Sequence, residues 1–238
     1  PGTDLFPDPL EGPPSETPLL RVEKTIPGGQ LVLRSLGGKL DLDAFGRPPL
    51  PPYILKTRKT QGQPDFDRGD IASYQTIYAK NPGSVAAPTA GLHFTPELLR
   101  QLNHAFVTLH VGLGTFRPIK TADFHDHPMH EERYEIAPGL EEKISAAGRV
   151  IAVGTTSARV LESAPHLRPH TGTTSVYIYP PYGFQRVGGL LTNFHLPHST
   201  LLLLVAAFAG TELALRAYEH AIREKYRFYS YGDAMLIL

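Results

Sequence analysis

The stretch that most constrains the fold lies near the C-terminus. An apolar, strand-like entry at Leu190-Leu191 stops at the polar segment 192–195. Pro197 prevents the extended run from continuing, and Ser199 or Thr200 can cap a helix that follows. A strand therefore gives way to a helix within a few residues.

The run from Leu201 to Ala209 carries no charge, which predicts a buried helix. Asn193 and His195 precede it at the strand-to-helix turn. A reactive group held on a rigid scaffold has this arrangement. A buried helix with a polar N-cap has it too, so this stretch alone leaves both interpretations open.

The composition predicts a folded chain that contacts no membrane. Hydrophobic residues make up 41% and charged residues 19% of the 238 residues, enough for a sizeable core. Basic and acidic residues balance at 23 each, which argues against a strongly basic binder but not against a local basic face. The absence of cysteine excludes disulfides and cysteine-ligated metal sites, and we expect a cytoplasmic protein. The uncharged run is shorter than the roughly 20 residues that span a bilayer.

The N-terminal part resembles a small antiparallel β domain. Residues 1–20 are rich in proline and acid and are expected to be loop. Short strand patterns over 19–36, broken at Pro27-Gly28-Gly29, and a further one over 39–43 predict hairpins. We therefore assign 1–46 to part of a small antiparallel β domain.

The rest of the chain predicts a linker and a larger domain. Residues 47–70 are proline-rich and then polar, which indicates a connector. Over 71–238 strand patterns alternate with helical ones. They include a strand that runs into a small-residue loop over 85–94, and a strand over 175–179. This alternation favours an α/β domain with a mostly parallel sheet.

Polar residues follow the predicted strands at four places, 89–93, 110–115, 154–159 and 193–195. Ligands of open α/β sheets bind beyond the carboxyl ends of the strands. We therefore expect these four clusters to converge on one site.

Two glycine-containing motifs have alternative readings. Residues 112–117 resemble a dinucleotide fingerprint, but Arg117 replaces the third glycine and Pro118 follows instead of a helix. The glycines still permit close approach of a ligand. Residues 154–159 can hold a carboxylate or phosphate at a helix N-terminus, or they form a simple capped helix.

Histidines and aromatics mark two further segments. His125, His127 and His130 form a His-x-His-x-x-His pattern that suits a divalent metal, a substrate-facing acid–base role or a structural role. Residues 179–184 place three aromatics in a stiff loop, for stacking on a base or for anchoring. There is no Gly-x-Ser-x-Gly elbow, which disfavours a serine hydrolase.

Eight motifs, in order, resemble the S-adenosylmethionine:tRNA ribosyltransferase-isomerase family of queuosine synthesis. They are Gly-Arg-Pro-Pro-Leu-Pro-Pro-Tyr-Ile (46–54), Tyr-Gln-Thr-Ile-Tyr-Ala (74–79), Ala-Ala-Pro-Thr-Ala-Gly-Leu-His-Phe (86–94), Val-Thr-Leu-His-Val-Gly-Leu-Gly-Thr-Phe-Arg-Pro (107–118), His-Pro-Met-His (127–130), Val-Gly-Thr-Thr-Ser-Ala-Arg (153–159), Thr-Asn-Phe-His-Leu-Pro (192–197) and Phe-Tyr-Ser-Tyr-Gly-Asp-Ala-Met (228–235). The resemblance implies that 1–46 is part of a small β-barrel domain and that 71–238 is the catalytic domain. The family pattern also has a segment ahead of the small barrel, with an Asn-Asp/Asn-Thr-Arg-Val-like motif, that has no match here.

The resemblance implies a tRNA-modifying transferase-isomerase. It would move the ribosyl moiety of S-adenosylmethionine onto 7-aminomethyl-7-deazaguanine at the tRNA wobble position. Adenine and methionine would leave, and epoxyqueuosine would remain in the tRNA. S-adenosylmethionine would be a co-substrate, with no other cofactor and no metal, and the protein a monomer.

The implied chemistry needs groups that move protons near neutral pH, a role that suits histidine. The sulfonium acidifies an adjacent carbon-bound proton, and adenine departure needs an acid. We expect His93, His110 and His195 to be catalytic. The expected substrate-binding residues are Thr89, Gly91, Gly112, Gly114, Thr115, Arg117, His127, His130, Thr155, Thr156, Ser157, Arg159, Tyr182, Phe184 and Asn193.

Two alternatives stay open from the sequence. One is a metal-dependent hydrolase that uses His125, His127 and His130. The other is a non-catalytic module that binds tRNA without consuming S-adenosylmethionine.

Overall fold

The computed structural model describes residues 1–6, 16–26, 30–40, 47–67, 69–84, 86–112 and 118–238. Contacts divide the chain into two compact units, Pro1–Pro48 and Pro49–Leu238. The division falls within the proline-rich connector. The domain roles assigned from the sequence stay predictions.

The first unit contains an antiparallel sheet in the order β1 (Asp4–Leu5), β2 (Leu20–Ile26) and β3 (Gln30–Ser35). Arg21 donates from Nε and Nη2 to the two carboxylate oxygens of Asp4, at 2.6 and 3.0 Å. These hydrogen bonds lower the pKa of Asp4. They hold the two-residue strand β1 against β2.

The strand β1 corrects the expectation that residues 1–20 are all loop, because a two-residue strand is too short to leave a periodic pattern. The predicted turn at 27–29 and residues 41–43 of a predicted strand lie outside the described residues. The described strands form an open sheet, and no closed barrel is present among them.

Helix α1 (Pro52–Thr60) lies in the segment 47–70 that the sequence predicts as connector and polar loop, and α2 (Gly69–Ser73) begins at the end of that segment. Proline in the first turn of α1 suits a helix start. Arg58 donates two hydrogen bonds of 2.6 Å to the carboxylate of Asp70, and this pair is largely buried. No residue of α1 is buried. The helix therefore needs no apolar face, and the sequence shows no apolar periodicity that would predict it.

The remaining elements are a 3-10 helix (Thr89–His93), α3 (Pro96–Gln101), β4 (Val107–His110), a 3-10 turn (Phe124–Asp126), β5 (Glu132–Ile136), α4 (Leu140–Ser145), β6 (Ile151–Val153), α5 (Thr155–Ser163), β7 (His170–Thr174), β8 (Gly189–Asn193), α6 (Thr200–Ala209), α7 (Thr211–Arg223) and β9 (Ala234–Ile237). Between residues 95 and 163 strands and helices follow one another, as the sequence pattern of 71–238 predicts. The α/β class is therefore confirmed.

The strands of the second unit form two sheets, β4-β5-β7 and β6-β8-β9. Among the described strands only β6 and β8 pair in parallel, through the crossover that contains α5, and all other pairs are antiparallel. The expectation of a mostly parallel sheet is therefore wrong. Alternation of strands and helices does not fix pairing, because α4 connects strands that belong to different sheets.

Two predicted strands are also wrong. Residues 175–179 are irregular although Ile178 is buried, and β7 lies just before them. The segment 85–94, predicted as a strand that runs into a small-residue loop, contains the 3-10 helix instead, closed by a hydrogen bond from Gly91 N–H to Pro88 O at 2.8 Å. Residue 85 lies outside the described residues.

The core of the second unit is centred on α5. Ala158 and Val160 are fully buried, and they belong to the same apolar cluster as Leu190 of β8, Ile178 and Leu204 of α6. The core therefore fixes α5 close to β8, whose end carries the polar segment 192–195.

The apolar run identified in the sequence forms α6. The Ser199 hydroxyl accepts the Leu202 N–H at 3.2 Å, as the predicted N-cap requires. In the described part of the chain no single helix is long and apolar enough to cross a membrane. The pair α6 and α7 reaches that length and apolarity only together, with a bend of 114° between the two helices.

Gly232 lies in the loop before β9, and a substitution there tests how tightly the second unit is packed. A Cβ at this position would lie within 2.6 Å of the Phe228 carbonyl oxygen and even closer to that of Arg227. We predict that Gly232→Ala lowers the free energy of unfolding by about 1–3 kcal/mol, because backbone cannot move aside as a side chain can. The matched control is Gly148→Ala, where an added Cβ meets nothing within 4 Å. Equal denaturant midpoints for the two variants would contradict this packing.

Candidate functional site

Asn193, the last residue of β8, joins three segments of the second unit. Its side chain is 2% exposed. Its Oδ1 accepts a hydrogen bond from the Thr89 hydroxyl at 3.0 Å, and its Nδ2 donates to the Gly232 carbonyl at 3.4 Å. The 3-10 helix, which also contains Gly91, and the loop 227–233 are thereby fixed at the carboxyl end of β8.

The loop 227–233 has further anchors of its own. Tyr229 N–H donates to the Phe194 carbonyl at 2.9 Å, and Ser230 N–H donates to the Tyr53 hydroxyl at 2.8 Å. The loop is therefore a fixed wall beside the end of β8.

His93 lies at the exposed rim of this cluster. Asp233 is bound by Arg227, whose hydrogen bonds are the main cause of a lowered Asp233 pKa. A smaller electrostatic contribution to that lowering comes from His93. His93 is thus an accessible imidazole close to a carboxylate.

His195 turns inward instead of facing solvent. Its Nε2 shares a hydrogen bond of 2.7 Å with the Thr192 hydroxyl, and its backbone N–H donates to the Tyr218 hydroxyl at 2.8 Å. Burial lowers the pKa of His195 to about 4. The ring is therefore neutral near pH 7 and hydrogen-bonds as a neutral imidazole.

A second polar cluster lies beside α5. Arg159 Nη1 donates to Glu132 Oε2 at 2.5 Å, and Gly112 N–H donates to Glu132 Oε1 at 3.2 Å. Glu132 and Arg159 are 3% and 5% exposed. The buried ion pair and this hydrogen bond tie the second residue after β4 to the first residue of β5 and to α5.

The N-terminus of α5 lies close to the 3-10 helix. Gly154 precedes α5 with φ +87, which favours glycine, and a Cβ there would lie 3.9 Å from the Ala90 Cβ. The Ser157 hydroxyl donates to the Val153 carbonyl at 2.9 Å, whereas Thr155 is buried and Thr156 half-buried. The predicted clusters at 89–93, 154–159 and 193–195 therefore come together.

His110 lies in the other sheet, at the end of β4. It is half-buried, and a Cβ on Gly83 would lie 2.8 Å from its Nδ1. That nitrogen is buried without a hydrogen-bond partner among the described residues. His110 is near Gly112 in sequence, and its strand belongs to a different sheet from the strand that ends at Asn193.

Several predicted site residues lie elsewhere. Tyr182 and Phe184 pack against the apolar core, and the Phe184 ring lies 4.8 Å from that of Phe208. This contact favours anchoring over stacking on a base. Gly114, Thr115 and Arg117 lie outside the described residues.

The three histidines of the His-x-His-x-x-His pattern do not converge. The His125 ring stacks on Phe124 at 4.0 Å, and its Nδ1 lies 2.5 Å from Asp123 Oδ1. The His127 ring faces Tyr177 at 6.0 Å, and His130 is exposed. Over the described ranges no group of three or more histidine or acidic side chains is arranged to hold a metal ion.

A cavity of about 470 Å³ also lies in the second unit. Its lining is mostly apolar and includes Phe106, Leu140, Ile151 and Leu236. Among the described residues, Ser157 is the one predicted site residue that lines it. The convergent polar groups are at the strand ends, and we therefore take those as the candidate site.

A family model described as "Queuosine biosynthesis protein" matches residues 19–237. The chain belongs to the queuosine biosynthesis protein family. The S-adenosylmethionine:tRNA ribosyltransferase-isomerase of Syntrophus aciditrophicus is 53% identical over 208 residues, which is 84% of this chain and 56% of that protein. The enzyme of the same name from Carboxydothermus hydrogenoformans is 52% identical over 224 residues, 88% of this chain and 63% of that protein.

A solved structure is also similar to this family member. The crystal structure of S-adenosylmethionine tRNA ribosyltransferase from Thermotoga maritima shares 43% identity and a TM-score of 0.51, over 63% of this chain and 51% of that chain. The present chain thus spans about half to two-thirds of the length of the proteins it matches.

The structure of this queuosine biosynthesis family member adds residues that sequence reasoning missed. Glu132 and Tyr218 make central hydrogen bonds, and Asp233 lies near His93. Glu132 leaves a faint signal in the sequence, because Tyr134 and Ile136 alternate with charged residues and Glu132 falls on their face of β5. The structure shows that this face is buried.

The buried state of His195 predicts a pH dependence of stability. Its native pKa of about 4 lies below the ordinary histidine value of 6.5, so the unfolded chain takes up a proton first as the pH falls. This stabilising contribution is complete above pH 6.5 and is lost between pH 6.5 and 4, by up to about 3 kcal/mol. Denaturant unfolding of the wild type and of His195→Gln between pH 6.5 and 4 measures this change in the free energy of unfolding. A His195 imidazole whose NMR signals titrate near pH 6.5 would contradict the prediction.

Proposed function

We propose that this chain carries the catalytic site of an S-adenosylmethionine:tRNA ribosyltransferase-isomerase. The observation that carries the proposal is the junction at Asn193, which brings the Thr89 and Gly154 segments together at the end of β8. The curated relatives that bear this enzyme name are 53% and 52% identical to this chain over the aligned residues. The substrates would be S-adenosylmethionine and tRNA that carries 7-aminomethyl-7-deazaguanine, and the product epoxyqueuosine in tRNA.

The proposed reaction needs proton transfers, and the candidate histidines differ in how exposed they are to solvent. The sulfonium acidifies a neighbouring carbon-bound proton, which a base removes, and the departing adenine takes up a proton. We assign these proton transfers to His93 and His110, and His195 acts as a neutral ring that holds Thr192. The tRNA amine, in its neutral form, makes the new carbon–nitrogen bond to the ribosyl moiety, whose bonds to adenine and to the methionine sulfur break.

The substrate-binding roles follow the geometry of the two clusters. Thr89, Gly91 and Asn193 would form one wall, and Gly112, Thr155, Thr156, Ser157 and Arg159 the other. The free N–H groups at the start of α5 suit the methionyl carboxylate or a phosphate. The monomeric state, the cytoplasmic location and the roles of His127 and His130 stay predictions.

Adenine release tests the proposal. Incubation of the chain with S-adenosylmethionine and tRNA bearing the aminomethyl-deazaguanine should release adenine, measured by mass spectrometry. His93→Gln should lower the rate at least about 100-fold if His93 transfers a proton.

His220→Gln, on the exposed surface of α7, is the matched control and should react at the wild-type rate. Binding of tRNA without adenine release would instead favour the non-catalytic module. A hydrolytic activity that is lost with a chelator and restored by zinc would favour the metal-dependent hydrolase.

A further inference from the structure

The guanidinium of Arg159 is bonded on one side only. Its Nη1 donates to Glu132, whereas Nε and Nη2 are covered from solvent and have no hydrogen-bond partner in the described part of the chain. Nε and Nη2 form one edge of the guanidinium, and their N–H groups point the same way. Such an edge matches the two oxygens of a carboxylate or phosphate.

Arg21 shows what this edge does elsewhere in the same chain. Its Nε and Nη2 bind the two oxygens of Asp4. At Arg159 the equivalent edge is far more deeply buried, yet it has no acceptor among the described residues. A buried donor without an acceptor is unfavourable, which indicates an acceptor that this ion pair does not supply.

The surroundings of Arg159 favour an anion. Arg159 follows Thr155 by four residues, so both lie on one face of α5, one turn from its N-terminus. The charge of Glu132 already balances that of Arg159. The N–H groups at the start of α5 add the positive potential that a further anion requires.

Glu132 fixes the direction in which the open edge faces. Its two oxygens are bound by different groups, Oε2 by Arg159 and Oε1 by Gly112 N–H. The guanidinium is therefore oriented relative to the end of β4 as well as to α5.

We propose that the Nε–Nη2 edge of Arg159 binds a two-oxygen anion of the substrate, and that Glu132 is the positioning residue that orients this edge. The anion is the methionyl carboxylate of S-adenosylmethionine or a phosphate of tRNA. The inference rests on the proposed function and adds to it the chemistry of one contact.

Decarboxylated S-adenosylmethionine separates the two anions. If the carboxylate is bound, the wild type binds S-adenosylmethionine at least about tenfold more tightly than the decarboxylated compound in calorimetry. Arg159→Met brings this ratio close to one. Glu132→Gln, which can accept only one of the two hydrogen bonds, lowers the ratio several-fold and leaves binding of the decarboxylated compound unchanged.

A phosphate contact gives a different result. The wild type then shows no preference between the two compounds, and Arg159→Met reduces the salt dependence of tRNA binding by about one unit of slope. Arg159→Lys keeps the positive charge but lacks the two-donor edge. It is the second variant to measure in case Arg159→Met does not fold.

Asp70→Asn is the control for the loss of a buried ion pair, and it should lower the melting temperature while the ratio and the slope stay at wild-type values. The inference would be overturned if Arg159→Met kept both the wild-type preference for S-adenosylmethionine over the decarboxylated compound and the wild-type salt dependence of tRNA binding. The proposed function would then still stand. A wild type that binds neither S-adenosylmethionine nor tRNA would overturn the proposed function, and the inference with it.

Discussion

The site depends on the side-chain amide of Asn193. The amide sits in a nearly closed environment, where an unpaired polar group costs about 1–3 kcal/mol. Both of its ends are bonded, one to Thr89, 104 residues away in the sequence, and one to Gly232, 39 residues away. One buried amide therefore holds the 3-10 helix and the loop 227–233 in place together.

The helix α5 relates this junction to the second cluster. Its N-terminus lies beside the 3-10 helix, and its fifth residue, Arg159, is paired with Glu132 on the other sheet. The fully buried Ala158 and Val160 keep the helix from shifting between the two sheets. A substrate that lies across the N-terminus of α5 would contact both clusters.

Local signals in the sequence are sufficient for part of this arrangement. Caps at Thr95 and Ser199 mark two helix starts, and polar residues after strands mark the ends that meet around Asn193. The pairing of strands depends on residues far apart in the sequence. The mostly parallel sheet predicted from the alternation of strands and helices is therefore wrong. Glu132 escapes notice for a related reason, because its partners Gly112 and Arg159 are 20 and 27 residues away.

A crystal structure of the chain with S-adenosylmethionine bound would test the central claim most directly. Our account predicts ligand density at the strand ends, between Asn193 and Arg159 and against the N-terminus of α5. Ligand density in the apolar cavity lined by Phe106, Leu140 and Leu236, with the strand ends empty, would contradict it.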